Sequence, residues 1–462
     1  MRRTKIIATL GPASMGRIGA LLRAGADVLR FNLSHGDPVE HARAMLEAGP
    51  AARLADLCGP KIRTGPAPEG GVRLTAGSLV TLAPGDAPTT PERVSVSYSR
   101  LAKEARPGQR VLLADGRMEL GVEGRKGDGL LARVRVGGIL ESRKGVNLPG
   151  ADLSVPAMTE KDERDLAAVA RAKPEYVALS FVRSAEDLIR CRHAMDRRGL
   201  RSSSLIAKIE TPEAVSRIET ILEACDGIMV ARGDLGVEMP QEELPAIQRR
   251  LVELADRKDR LCIVATEMLE SMVQNPRPTR AEVSDVAAAV RDGTDAVMLS
   301  AETSVGRYPV GAVKAMSRIL AAAEQSLLSA GELSSEASLT AGGGAGDLLA
   351  LAAHAVSDGL PRACLAVATE TGRSALFVSK SRPGCPILAL SPSPGVVARM
   401  ALYWGVRPVL CRAHRSHLAL LREAETAAKR VLGARKGDPL VVLSGTPLGR
   451  SGNLNTLQIR RI

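Results

Sequence analysis

In the run AKIETPE, Lys208 and Glu210 alternate. Along an extended segment, alternate side chains share one face. Further on, ARGDLGVE (231–238) places Asp234 directly after Gly233. Two carboxylates completed by water suit Mg²⁺, which keeps much of its shell for substrate oxygens. A lysine beside such a metal can stabilise charge on a transferring phosphoryl group or on an enolate. Arg30 and Arg63 add guanidinium forks that match phosphate. If a helical turn starts at Gly233, its free N–H groups can cradle a carboxylate. The competing reading of Lys208 and Glu210 is a buried ion pair that serves only the fold.

Those residues need elements to hold them. Short β-rich runs alternate with helical patterns: KIIATL (5–10), DVLRFNLS (27–34), ARLADL (52–57), YVALSFV (176–182), SLIAKIE (204–210), GIMVARG (227–233), LCIVATEM (261–268) and AVMLS (296–300). Thr211-Pro212 reads as an N-cap with a first-turn proline, and Thr279 with Glu282 as a capping box. PEAVSRIETILEA and PAIQRRLVELADR space their apolar residues three and four apart, as helices do. Eight β units alternating with helices predict a parallel (β/α)8 TIM barrel, an α/β fold. Arg30, Asn32, Ser34, Asp56, Lys208, Glu210, Asp234, Thr266, Ser300 and Glu302 fall at or near the C-terminal ends of these runs. That rim is where such barrels build their chemistry.

The barrel catalytic domain is expected over 1–64 and 146–328. Between these halves, residues 65–145 show short alternating runs and no convincing helix, which predicts an inserted small all-β domain. SAGELSSEASLTAGGGAG (329–346) reads as a linker. From 347 to 462, CLAVATETG, PILALS, RPVLC and PLVVLSG alternate with helices and predict a C-terminal α/β domain.

Composition narrows the functional classes. The chain has 462 residues, 45% of them apolar and 25% charged, which suits a globular protein of two or three domains. Aromatics make up only 2%, so base-stacking platforms are not expected. A net charge of +12 favours anionic partners, but the cations are interspersed with acids and form no basic arm. Small phosphorylated metabolites are therefore preferred over nucleic acid. Seven scattered cysteines without CxxC suggest neither zinc nor a disulfide framework. No run reaches membrane-spanning length, and the first apolar stretch is too short for a signal peptide, so a cytoplasmic protein is expected. GxxxxGK[ST], GxGxxG after a strand and HExxH are all absent.

KIIATLGPAS, VLRFNLSHGD, GPKIRTG, GVNLPG, AKIETPE, GIMVARGDLGVE, NPRPTRAE and DGTDAVMLSAET resemble, in order and spacing, the pyruvate kinase family. The resemblance covers nearly the whole chain. It implies phosphoryl transfer from phosphoenolpyruvate to ADP, giving pyruvate and ATP. It also implies that Glu210 and Asp234 hold Mg²⁺ (or Mn²⁺), that Lys208 stabilises the phosphoryl group in transit, and that Arg30 holds phosphate. Gly233, Asp234 and Thr266 would bind the substrate carboxylate, and Thr266 would help protonate the enolate. Asn32, His35 and Arg63 would lie near the nucleotide. The inserted β domain would be a lid that excludes water, and the assembly a homotetramer.

The chain departs from the family pattern at its K⁺ site. Groups matching Asn32, Ser34 and Asp56 hold K⁺ in many members, followed by Thr, Lys and Glu where this chain has Leu57, Cys58 and Lys61. Glu to Lys changes local charge by two units, so the Lys61 ammonium can supply the charge that K⁺ would bring. K⁺-independent activity is expected. Glu267 stands in place of the usual Gln, Ala301 in place of a Gly, and the segment 42–55 is short for a helix and a strand. TETGRSA (369–375) and SGTPLGRSGNLNT (444–456) resemble the family's effector site, with Thr369, Thr371, Gly372, Arg373 and Ser374 binding phosphate. Glu370 beside them disfavours a bisphosphate, so AMP or a sugar monophosphate is expected rather than fructose 1,6-bisphosphate. Two other readings compete: a Mg²⁺-dependent aldolase or lyase acting on pyruvate enolate, and a non-catalytic effector-binding relative.

Overall fold

The computed structural model describes residues 2–151, 153–332, 344–414 and 416–462. All eight predicted runs form strands: β1 (Lys5–Thr9), β2 (Val28–Asn32), β3 (Ala52–Asp56), β4 (Tyr176–Leu179), β5 (Ser204–Ile209), β6 (Gly227–Ala231), β7 (Leu261–Ala265) and β8 (Ala296–Leu299). They close into a parallel barrel in which β8 returns to β1. The strands are aliphatic on both faces because both are covered. Ile6 and Ala8 belong to the outer core under the helices, while Ile7 between them packs inside. At its base this inner core runs on into the apolar face of the C-terminal unit.

Local signals act as read. Thr211 accepts from the Ala214 N–H with Pro212 in the first turn, and Thr279 with Glu282 forms a reciprocal capping box. PEAVSRIETILEA divides at Arg217 into helices Pro212–Ser216 and Ile218–Ala224. The short segment after His41 still fits both elements, a helix Pro38–Glu47 and then β3. Arg53 of β3 secures it by pairing with the buried Glu175 at 2.8 Å and donating to the Met45 carbonyl.

Between β3 and β4 lies a six-stranded sheet with a two-stranded ribbon. It carries one element not foreseen, a single helical turn at Leu101–Glu104. Val146–Asn147 still pairs with Arg110–Leu113, so the sheet extends past residue 145. The C-terminal unit has four parallel strands, Cys364–Ala368, Ile387–Ser391, Val406–Leu410 and Pro439–Gly445. A fifth, Leu454–Arg461, was not read from the sequence and pairs antiparallel at the edge. Most of the expected linker lies outside the described residues; helix Pro309–Ala330 ends inside the stretch and helix Ala345–Asp358 begins inside it.

The barrel base is fastened to the C-terminal unit by charge. Asp295, wholly buried before β8, accepts from Lys380 at 2.7 Å, from Arg382 at 2.8 Å and from the Cys262 N–H at 2.8 Å. Arg382 also lies 4.9 Å from the Trp404 ring centroid.

Candidate active site

Four buried charged side chains meet at the barrel rim. Arg30 donates from Nε to Asp56 Oδ2 at 2.7 Å and from Nη1 to the Thr9 hydroxyl at 3.0 Å. Lys208 Nζ lies 3.4 Å from Asp56 Oδ1 and 2.9 Å from Glu210 Oε1, and donates to Ser180 Oγ at 2.7 Å. Glu210 Oε2 accepts the Phe181 N–H at 2.7 Å. The alternation of Lys208, in β5, and Glu210, just past its end, with Asp56 two strands away, brings them together.

Their electrostatics are unequal. Burial would raise the Asp56 carboxyl, but Lys208 and Arg30 outweigh it and hold the group below the usual carboxylate range. Burial would likewise lower the Lys208 ammonium, yet Asp56 and Glu210 prevail and it stays firmly protonated. Glu210 is different. Burial pushes it up to about 7 against the pull of Lys208, with Asp234 pushing the same way. Its Oε1 is buried with the Lys208 ammonium 2.9 Å away, and Asp56 Oδ1 shares that ammonium at 3.4 Å. A buried carboxylate with a second one, Asp234, close enough to raise it is a donor set that fits a hard divalent cation.

Beside this cluster, β6 passes into the short helix Arg232–Glu238, with Asp234 in its first turn. The Gly233 N–H donates to Thr266 Oγ1 at 2.7 Å, and that hydroxyl donates to the Ala265 carbonyl at 2.5 Å. Thr266 and Glu267 both have left-handed backbone, φ 69° and 55°. Each costs on the order of 1 kcal/mol, which the surrounding contacts must offset. Glu302, wholly buried, accepts from the Leu269 and Ser300 N–H groups and anchors that loop from below.

The loop with Lys61 turns at Gly59, where φ is +69° and an added Cβ would meet Ser180 Cβ at 2.9 Å. Asp162 receives the Gly59 N–H at 3.1 Å, and Lys161 donates to the Leu33 carbonyl at 2.6 Å, so one helix start fixes two rim loops. Asn32 Oδ1 accepts the Ser34 N–H at 3.2 Å. Burial and then the charges of Arg63 and Lys61 lower the pKa of His35, which brings these three residues into one field. The Lys61 side chain is exposed and makes no ion pair among the described residues. Asp56, which the sequence links to Lys61, is instead paired with Arg30 and Lys208. Arg63 turns its Nη1 to the Arg143 carbonyl of the β domain at 3.0 Å. Lys61 and Asp234 line a cleft of about 750 Å³ with Asn147, Phe181, Arg183 and Glu238. A larger opening of about 2850 Å³ separates Asp115, Arg117 and Glu119 of the β domain from Gly233, Asp234 and Glu267.

Sequence reasoning missed Ser180, Arg232 and Glu238. Ser180 carried the same signal as its neighbours, a polar residue at the end of YVALS. Glu238 is recognisable only in three dimensions, where Asn147 donates to it at 2.8 Å.

In the C-terminal unit, Thr369, Glu370, Thr371, Arg373 and Ser374 line an open pocket whose other wall is residues 445 and 448–455. Thr369 Oγ1 accepts the Gly372 N–H at 2.9 Å, ahead of helix Arg373–Lys380. Asp347, at the start of the helix Ala345–Asp358, adds a second acid to the wall.

A closed (β/α)8 barrel with a lysine, two carboxylates and an arginine converging at its C-terminal rim defines an enzyme of the barrel class. Residues 1–313 match the family described as "Pyruvate kinase, barrel domain", and residues 347–460 match "Pyruvate kinase, alpha/beta domain". The chain is similar to a pyruvate kinase of Mycobacterium intracellulare, with 41% identity across 100% of this chain and 98% of the relative. One of Corynebacterium efficiens is 42% identical over 99% and 97%, and one of Geobacillus stearothermophilus 39% identical over 100% and 80%. The chain belongs to the pyruvate kinase family.

Proposed function

We propose that this chain transfers the phosphoryl group of phosphoenolpyruvate to ADP, forming pyruvate and ATP, with Glu210 and Asp234 holding Mg²⁺ or Mn²⁺. The observation that carries the reading is the Arg30–Asp56–Lys208–Glu210 cluster, with Asp234 close enough to Glu210 to raise its carboxyl. Such a metal, when bound, neutralises charge on substrate oxygens. Arg30 binds the phosphate and is oriented for it by Asp56 and Thr9. Lys208, kept protonated, faces the group in transit and then the enolate. Gly233 and Thr266 receive the carboxylate, and Thr266 helps return a proton to the methylene carbon. Asn32, His35 and Arg63 face the nucleotide. The β domain excludes water over the opening, which protects the phosphoryl group from hydrolysis.

The exposed Lys61 ammonium at the same cleft favours activity without K⁺, acting through the field rather than by touching Asp56. The cavity at 369–374 binds AMP or a sugar monophosphate, because Glu370 and Asp347 oppose a more highly charged bisphosphate. A homotetramer acting in the cytoplasm completes the reading. The family match weighs against an aldolase, and the intact cluster against a silent relative.

The test is ATP formation from phosphoenolpyruvate and ADP with Mg²⁺, in buffer whose only monovalent cation is tetramethylammonium, before and after adding K⁺. Turnover in both supports the whole reading, and Lys61→Glu should then lower the K⁺-free rate by about tenfold, one ion-pair's worth of field. Turnover only with K⁺ removes the Lys61 account. No turnover in either would overturn the catalytic assignment.

A further inference from the structure

Arg232 has no part in the scheme above, yet its guanidinium is well buried against the loop that carries Thr266. Nη2 donates to the Thr266 carbonyl at 2.8 Å and lies 2.9 Å from Met268 Sδ. Nη1 is held 2.7 Å from Asp285, on helix Arg280–Asp292. Gln248 Oε1 stands 3.5 Å from Nη1, and its amide donates to Asp292 at 2.8 Å. The next residue, Gly233, grips the Thr266 hydroxyl through its N–H. Adjacent residues therefore hold Thr266 at both ends, the carbonyl by a side chain and the hydroxyl by the backbone.

That double grip matters because Thr266 and Glu267 are consecutive left-handed residues, neither of them glycine. Nothing in the β7 ladder, which ends at Ala265, bonds the Thr266 carbonyl. Relaxation of this turn would rotate the carbonyl and carry the Thr266 side chain away from Gly233. Arg232 Nε is buried without a partner. A guanidinium kept there at that cost suits a task other than stability alone.

We propose that Arg232, oriented by Asp285, is a positioning residue that fixes the strained Thr266 turn and thereby aims its hydroxyl for the proton step. This rests on the reading of Thr266 as a proton donor. In that step a C–H bond forms at the methylene carbon, the enolate oxygen becomes the pyruvate carbonyl, and solvent replaces the proton supplied along Thr266. Phosphoryl transfer comes first, so an enol released unprotonated still leaves ATP behind.

The experiment compares two rates in the full chain with Mg²⁺: ATP formation, and exchange of pyruvate methyl protons for deuterium in D₂O with ATP present, read by proton NMR. Arg232→Met should lower methyl exchange at least tenfold more than ATP formation, with KM for phosphoenolpyruvate within about twofold. Arg232→Lys, which can still reach one acceptor, should recover part of the lost exchange. Asp285→Asn should move the ratio the same way by less. A general weakening of the barrel would lower both rates together, and an unchanged ratio in Arg232→Met overturns the proposal. If Arg232→Met does not fold, Asp285→Asn decides by the same ratio. A wild-type chain that neither makes ATP nor exchanges protons would instead refute the functional reading itself.

Discussion

Both ends of the barrel bury a knot of charge, and they are finished differently. At the base, both Asp295 oxygens are used, by Lys380, Arg382 and a backbone N–H. At the rim, Glu210 and Asp56 share the Lys208 ammonium at 2.9 and 3.4 Å, and burial raises the Glu210 carboxyl to about 7. A buried ion pair by itself says little about function, since its Coulomb gain is spent on desolvation. What separates the two ends is the state of the carboxylate and what lies beside it: Asp295 is used by two cations and a backbone N–H, whereas Glu210 is raised toward neutrality by burial and by a second carboxylate. The base knot joins two units of the chain; the rim knot stands beside a cleft lined by Asp234, Lys61 and Phe181.

Substitution should separate the two ends cleanly. Glu210→Gln should reduce kcat/KM by about 10³-fold or more if Glu210 holds the metal as proposed, because it removes a carboxylate from the electrostatic arrangement around the transferring group. Its unfolding free energy at pH 8 should stay within about 1 kcal/mol of wild type, as burial already opposes the ionised carboxyl and Asp56 still pairs with Lys208. Steady-state kinetics and urea unfolding check the pair of outcomes. A large stability loss with activity retained would make the rim a fastener too. Asp295→Asn should do the reverse. It leaves Lys380 and Arg382 buried beside a neutral amide, with Asp256 3.5 Å from each, at a cost of about 3 kcal/mol. The turnover of the folded fraction should change little, and a collapse of turnover at full stability would contradict the contrast.

The rim was largely legible from sequence because strand alternation fixes direction. Lys208 and Glu210, two apart on a predicted strand, had to point the same way, and Asp56, Asp234 and Thr266 marked the ends of other strands. The aliphatic runs likewise fixed the barrel, since a strand covered on both faces can hold few polar residues before its end. Partners distant in sequence were not legible. Nothing local to Asp56 chooses Arg30 and Lys208 over Lys61, five residues away, and only the closed barrel makes that choice. The left-handed turn at Thr266-Glu267 carries no glycine to announce it. The edge strand Leu454–Arg461 was hidden because LNTLQIRR alternates imperfectly, with polar side chains along a half-covered edge.

Glu238 tests the same contrast on a smaller scale, where the β domain meets the barrel. Its carboxyl accepts from Asn147, and burial pushes it up to about 7, with Glu213 and Asp234 adding to the rise and Arg110 opposing it. A carboxyl whose folded pKa lies above its unfolded one binds its proton more tightly when folded. Its favourable contribution is therefore present at low pH and fades as pH rises from the ordinary carboxylate range through about 7. Glu238→Gln keeps an acceptor for Asn147 but has no proton to lose. Urea unfolding at pH 5 should hardly distinguish it from wild type. At pH 8 the variant should be more stable by about 2 kcal/mol, the order expected for a shift of this size in a mostly buried group. An equal gain at both pH values would mean that Glu238 is ionised throughout. Its site would then be satisfied like the base of the barrel rather than strained like the rim.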